Sequence, residues 1–467
     1  MGRIEFILTQ MKVKEIYIKD FRQFKDLTLD LTYPTGHAKA GKALDKVCFI
    51  GQSGTGKTNL LKLLFLVRMP GEAKNKLETL APELINKVAF KVVDSRNKEL
   101  IVAFKKGSDY SMDSIMSAFF LTKNIYTDIL NDLFFGNPLI DSEEIRAFLS
   151  HDTKENEQLI YFPTGLKYDF KQTNSDKNIQ SKKVFDFSKE SVYGLWNSIV
   201  EDVTKYQEEE LKIRQKISFL AEQGDLDGTQ KEVNNLKNWK ESNNSPIKDI
   251  AEKCINPLVE KFHVRVREGF SIEKKEDIGF IKLESFEGKE IPYNSWSTGT
   301  KQVVLSALPL YLIKPEYSTV LFDEPEASLY PDLQRIIIDY YQSITKNCQF
   351  FYATHSPIIA SSFEPWEIVE LKFNKDGTVY RELYYEGENH IDNYKWNPQY
   401  MRWDDILNRI FDMKDDGSPK RKEKLDKLAR CNVKYRKLEK NGQKDSTEAK
   451  ELITLIEKLS KELSHWD

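Results

Sequence analysis

Four cysteines in 467 residues (Cys48, Cys254, Cys348 and Cys431) are far apart and form no CxxC pair. That excludes a disulfide framework and a thiolate metal knuckle, and it points to reduced, structural thiols. Histidine is equally sparse, with six scattered residues. No apolar run reaches the ~18 residues that a membrane helix needs. The opening MGRIEFILTQ has neither a long apolar core nor a small-residue cleavage site, so no signal peptide is expected and the expected location is cytoplasmic. No excess of one charge exists either: 70 basic and 73 acidic side chains leave a net charge of -3. Bulk attraction to nucleic acid or to an anionic membrane is therefore not expected, and no basic run with interleaved aromatics marks a groove. The chain exceeds the ~250–300 residues at which one core stops growing, which predicts two or three subdomains.

Against this background one glycine-rich run stands out. Gly51-Gln52-Ser53-Gly54-Thr55-Gly56-Lys57-Thr58 satisfies GxxxxGK[ST] at every required position. Val47–Ile50 reads as a buried strand entering the loop, and Asn59 to Val67 as a buried helix leaving it. Glycines let the backbone curl and aim N–H groups at phosphate oxygens, and the helix N-terminus adds a favourable dipole. Gly51 to Thr58 and the following Asn59 are expected to bind the nucleotide, with Lys57 reaching the β- and γ-phosphates of ATP and the Thr58 hydroxyl ligating Mg²⁺.

A second cluster lies far downstream. Thr319–Phe322 is a short apolar strand ending in Asp323 and Glu324. Asp323 is expected to hold the metal, with Glu324, on the other side of the pleat, facing the attacking water as general base or positioner. Gln349–Ala353 is another buried strand, and it runs into Thr354-His355. His355 at that strand end is expected to sense the γ-phosphate.

These residues resemble ABC-type P-loop ATPases of the SMC, RecF and OLD group. Gly51–Thr58 corresponds to the Walker A motif and Val320–Glu324 to Walker B. Ala327-Ser328-Leu329 sits at the D-loop and His355 at the switch histidine. Ser297-Thr298-Gly299-Thr300-Lys301-Gln302 is similar to the signature motif, with Trp296 at the usual leucine and Thr298 at the first glycine. Ile16–Phe24, then Leu27, Leu29 and Leu31, is similar to the group's opening hairpin. The resemblance covers about 1–110 and 280–375. It implies that Ser297 and Gly299 contact the ATP of a second subunit, giving a homodimer, with higher oligomers open, that closes around two ATPs. Read as local structure alone, Ser297 or Thr298 is also a helix N-cap. The group's Q-loop glutamine has one weak candidate, Gln158, before the strand-like Leu159–Phe162.

The expected fold is therefore α/β: an ABC-type ATPase core with an antiparallel β-layer, a short inserted helical hairpin and a helical C-terminal tail. Residues 1–110 form the N-terminal lobe with Walker A. Residues 111–280 are an insert that carries a coiled-coil hairpin at about 196–256. Residues 281–385 form the C-terminal lobe, and 386–467 a helical tail. Lys87–Phe104 alternates like two strands around a polar turn. Ser111–Leu149 reads as helical. The hairpin follows from apolar spacings at Ile199, Val203, Tyr206, Ile213, Ile217 and Leu220, returning through Val233, Leu236, Ile247, Ile250 and Cys254. Each arm is about 35–40 Å long, and the hairpin either dimerises or docks a partner. Asp225 and Asp227 at its tip read as a solvated turn. Val379–Tyr385 reads as a last strand, Asn397–Phe411 as an amphipathic helix, and Lys420–Lys440 and Thr447–Leu463 as a solvated helical pair.

No DxD follows an apolar strand after His355, and the histidines form no HNH-type cluster. A nuclease, if one is involved, would be a separate chain. A lone ABC-type ATPase with this insert and tail resembles the PtuA-type ATPase subunits of Septu and retron anti-phage systems. That resemblance implies a small HNH-type nuclease as partner, with any contact to nucleic acid indirect and none with a membrane. A RecF-like DNA repair clamp and a slow-turnover nucleotide sensor or scaffold are the competing readings.

Overall fold

The computed structural model describes residues 11–68, 88–93, 99–104, 116–120, 158–166, 182–268, 281–413 and 417–463. It divides into two compact units, 1–401 and 402–467.

The first unit is organised by one twelve-stranded sheet among the described residues, in the order β6-β5-β4-β1-β2-β15-β14-β3-β13-β12-β7-β8. One half is antiparallel: β1 (Lys12–Phe21), β2 (Phe24–Asp30), β4 (Val88–Val93), β5 (Glu99–Phe104) and β6 (Met116–Phe120). The other half is parallel: β14 (Ile368–Phe373), β3 (Lys46–Gly51), β13 (Gln349–Ala353), β12 (Thr319–Asp323), β7 (Leu159–Phe162) and β8 (Val184–Asp186). The seam is β15 (Val379–Glu382), antiparallel to β14 and parallel to β2.

The central parallel strands read as unbroken apolar runs because both faces are covered. KVCFIG, TVLFD, QFFYA and LIYF are buried at almost every position. Alternate side chains sort to two layers. Phe49, Tyr161, Leu321 and Phe351 join Leu60, Leu61 and Leu64 of α1 (Lys57–Arg68) in one core. On the other face Phe322 stacks between Phe162 and Tyr341, with ring centroids 4.6 and 4.4 Å apart. Tyr341 belongs to α5 (Pro331–Ser343), and its hydroxyl lies 2.6 Å from Ser306 Oγ of α4 (Thr298–Ile313). The sheet is thus held between helices, with every strand C-terminus of the parallel half at one edge.

The insert carries α2 (Tyr193–Glu222) and α3 (Leu226–Ser242), which pack as a hairpin. At ~1.5 Å per residue α2 is about 45 Å long, somewhat more than its apolar spacing suggests. The return arm is shorter than expected. It stops at Ser242, and Pro246, which can only begin a helix, starts a new helical run over 246–262 that holds Ile247, Ile250 and Cys254. Asp225 Oδ1 accepts from Gly228 N at 2.9 Å as the N-cap of α3, so this tip acid serves the turn. A small second sheet, β9 (Val264–Val266), β10 (Leu283–Ser285) and β11 (Glu290–Ile291), follows.

Two helical expectations are corrected. Within Ser111–Leu149, Met116–Phe120 is a strand, paired antiparallel to β5; its run of apolar residues fits either period, and the neighbouring strand decides. The remainder of that segment lies outside the described residues. Asn397–Phe411 is a single turn at Pro398–Tyr400 followed by the short α6 (Trp403–Arg409). Asn397 caps the turn through its side chain, and the boundary between the two units falls after Met401.

The second unit also holds α7 (Pro419–Lys440) and α8 (Thr447–Leu463), which pair through buried Cys431, Ala449 and Leu459. Lys424 Nζ meets Glu462 Oε2 at 2.8 Å. Among the described residues no helix is long and apolar enough to cross a membrane.

One buried charge in the first unit makes stability depend on pH. Glu367 is 4% exposed, with Lys46 Nζ 3.7 Å from its Oε2. Burial pushes its carboxyl up to about 7 although Lys46 pulls the other way. The unfolded chain gives up this proton near pH ~4.3, well before the folded chain does. Stability is therefore lost as pH rises from ~4.3 to ~7. Glu367→Gln removes that loss and is expected to stabilise the protein by about 1–3 kcal/mol at pH 8, with the gain vanishing near pH 4. Thermal melts of both forms across this range check it; a pH-independent difference would contradict it.

Candidate nucleotide site

The strand ends bring the two distant motifs together. β3 delivers Gly51, and the chain curls through Gly54 and Gly56 into the first turn of α1. Gly51 has φ +143°, and a Cβ there would stand 2.3 Å from Leu371 O of β14. Gly56 has φ +94°, and a Cβ there would collide with Gln23 Nε2 and the Phe24 ring. Both positions require glycine for conformation and for space. Gln52, Ser53 and Gly54 are exposed at the crest. Buried Thr55 fixes the loop from beneath, its Oγ1 donating to Gln52 O at 2.8 Å. Lys57 Nζ donates to Gly51 O at 2.8 Å and to Gln52 O at 3.2 Å. Burial lowers its pKa to about 8, with Glu324, Asp323 and Glu326 pulling upward.

From 265 residues away, Asp323 Oδ1 accepts a hydrogen bond from Thr58 Oγ1 at 2.9 Å. Thr164 Oγ1, after β7, donates to Asp323 O at 3.3 Å. Burial raises the Asp323 pKa, while Thr58 acts against it. A hydroxyl and a carboxylate so placed are hard oxygen donors on one side of a phosphate loop, a set that fits Mg²⁺.

Glu324 does not sit simply across the pleat. The strand ends at Asp323, and Glu324 turns at φ +51° while its N–H donates to Ala353 O at 2.8 Å. A non-glycine residue in the left-handed region is uncommon and is held by its surroundings. His355 follows β13 and is exposed. Burial, then the Lys57 ammonium, lowers its pKa, while Glu324 raises it, so the three groups share one field.

Two expected residues have other partners. The Asn59 side chain accepts from Arg22 Nη1 at 2.6 Å and so engages the β1–β2 turn. Gln158 is fully buried at the opposite end of β7, where its N–H donates to Ser318 Oγ at 2.8 Å. It stands level with the start of β12, four residues before the strand end that carries the site, and cannot act as a Q-loop residue.

The sequence of residues 11–360 matches the AAA ATPase domain family. The chain belongs to that family. No curated protein matches it. Among solved structures, the Smc head domain of Pyrococcus furiosus bound to the C-terminal domain of ScpA is 14% identical and has a TM-score of 0.38; the match covers 80% of this chain and 96% of that one. The SMC head domain of Thermotoga maritima is 15% identical, with 80% and 99% covered and a TM-score of 0.36. The RecF–ATPrS structure of the RecFOR pathway is 13% identical, with 79% and 98% covered and a TM-score of 0.32.

In this AAA ATPase domain the architecture is the α/β ABC-type fold. Its signature-like segment lies beside the turn Ala327–Leu329 of the same chain. Ser297 is exposed and caps α4, accepting from Thr300 N at 3.0 Å, so the capping expectation holds. A Cβ on Gly299 would stand 2.6 Å from Ser328 O. Gln302, four residues into α4, accepts from Leu166 N at 3.2 Å, next to the Thr164 that touches Asp323.

Three contacts were not foreseen. Gln23 Nε2 donates to Gly54 O at 3.2 Å from the hairpin turn. Glu326 accepts from both Thr354 and His355 N. Thr164 reaches the Asp323 backbone. Glu326 stands within a motif, as the third acid of Asp-Glu-Pro-Glu, and Gln23 within the opening hairpin; Thr164 had no such signal.

Proposed function

We propose that this chain binds ATP with Mg²⁺, closes as a head-to-tail dimer over two nucleotides, and hydrolyses them. The observation that carries this is the Thr58–Asp323 hydrogen bond at 2.9 Å, which sets the metal-binding hydroxyl and carboxylate beside the phosphate loop. Thr58 and Asp323 would hold the Mg²⁺. Bound there, the ion would supply neutralisation of the phosphate charge. Gly51, Gln52, Ser53, Gly54, Thr55, Gly56 and Lys57 enclose the phosphates. Lys57 steadies the negative charge, Glu324 orients the attacking water and accepts its proton, and His355 hydrogen-bonds the γ-phosphate. Ser297 and Gly299 complete the site of the second subunit.

The work done by this cycle we assign to a partner, namely a small nuclease restrained and released in anti-phage defence. Leu211, Phe219, Leu226 and Val233 support the reading, since they leave apolar surface exposed along the hairpin. A second reading, direct engagement of nucleic acid, is favoured by α7. Lys420, Lys424, Lys427, Arg430, Lys434 and Lys437 are exposed on it, against the acids Glu423, Asp426 and Glu439.

Closure is tested at Ser297, because Gly299 has no room for a side chain within its own chain. Ser297→Arg removes a helix cap worth about 1 kcal/mol. It is expected to leave ATP binding unchanged and to abolish the ATP-dependent dimer in native mass spectra. A variant that dimerises normally overturns the head-to-tail arrangement. The same spectra of wild-type complexes from the native host separate the two roles: a co-purifying nuclease supports the first, bound nucleic acid the second.

A further inference from the structure

The loop that carries His355 is pinned to the D-loop by two side chains. Glu326 Oε1 accepts from Thr354 Oγ1 at 2.6 Å and from His355 N at 3.0 Å. Gln334, in the first turns of α5, holds the other side: its Oε1 accepts from Ser356 Oγ at 2.6 Å while its Nε2 donates to Leu329 O at 2.9 Å. Residues 354–356 are thereby tied to the turn 324–329 at both ends. Glu326 Oε2 is buried and has no hydrogen-bond partner. A buried carboxylate with one satisfied oxygen is costly to keep for packing alone.

The other face of the same turn meets the signature segment. Ser328 has φ +64°, and its carbonyl leaves no space for a Cβ on Gly299. One short turn therefore touches the segment proposed to face a second subunit and the histidine proposed to face the γ-phosphate of its own.

We propose that Glu326, with Gln334 beside it, is a positioning residue that clips the His355 loop to the D-loop turn, so that the histidine takes its place for hydrolysis only while that turn is in place. The inference rests on the ATPase reading for its kinetic consequence, but the clip itself is a property of this chain. Glu326 works through hydrogen-bond acceptance. Gln offers the same acceptor oxygen; Ala offers none and leaves the Thr354 hydroxyl and the His355 N–H unpaired.

The experiment compares Glu326→Ala, Glu326→Gln and Gln334→Leu in the full chain. Affinity for a fluorescent ATP analogue should stay within about two-fold in all three, because the phosphate loop is untouched. Turnover in Glu326→Ala and Gln334→Leu should fall about ten-fold or more in kcat with KM little changed, and Glu326→Gln should recover most of it. A second readout does not need turnover. With six histidines in the chain, the His355 imidazole Cε1 resonance can be assigned by its loss in His355→Asn. It should shift or broaden in Glu326→Ala and return in Glu326→Gln. Undiminished kcat and an unmoved resonance in Glu326→Ala overturn the proposal. A Glu326→Gln form as impaired as the alanine form also overturns it, since charge and not acceptance would then matter. A wild-type protein without turnover removes the ATPase reading, and the resonance then decides the clip alone.

Discussion

Lys57→Ala should weaken ATP binding by about 10²–10³-fold. The ammonium is held at the phosphate loop by hydrogen bonds to Gly51 O and Gln52 O. Charge-assisted hydrogen bonds to two phosphates are worth roughly 3–4 kcal/mol together, which sets that factor. The fold should survive, because Gln52 O keeps its hydrogen bond from Thr55 Oγ1 and a single carbonyl, that of buried Gly51, loses its lysine donor. Calorimetric titration with ATP and Mg²⁺, with a melting curve to establish folding, measures both. An affinity within a few-fold of wild type would mean that Gly51–Thr58 does not hold phosphate.

Glu324→Gln should instead leave binding intact and lower turnover by about 10²–10⁴-fold, the range a positioned general base supplies. The substitution is isosteric and keeps the N–H that donates to Ala353 O, so the left-handed turn costs both forms the same. Unable to pass the nucleotide on, the variant should accumulate as an ATP-bound dimer. Single-turnover phosphate release and native mass spectra report the two effects separately. Undiminished release would assign the base elsewhere; lost release without dimer accumulation would detach hydrolysis from closure.

The sheet's central strands and the site's two main motifs were legible for a common reason. Val47–Ile50, Thr319–Phe322 and Gln349–Ala353 are buried on both faces, so their composition is dictated by position, and functional groups follow directly at their ends. Where side chains answer to partners far away in sequence, legibility stops. Met116–Phe120 is a strand because β5 accepts it, which no local pattern records. Gln158 had the right residue type but precedes its strand, and the parallel register of β7 with β12 puts the site at the other end. Asn59 follows the loop in sequence yet is claimed by Arg22 of the opening hairpin. The short α6 was over-read because apolar spacing continued through a segment that a proline turn occupies.

The strand that enters the phosphate loop has both neighbours, β13 and β14, roughly 300 residues downstream. At about 5–20 residues per second, a ribosome leaves Lys46–Gly51 without either edge partner for some ~15–60 s. During that interval the apolar run Val47–Ile50 is available to chaperones and to other nascent copies, and the phosphate loop has no flanking strands. The sheet around the phosphate loop thus cannot be completed until almost all of the first unit has been synthesised. A fragment ending before Gln349 would lack both strands that flank the entry to the loop.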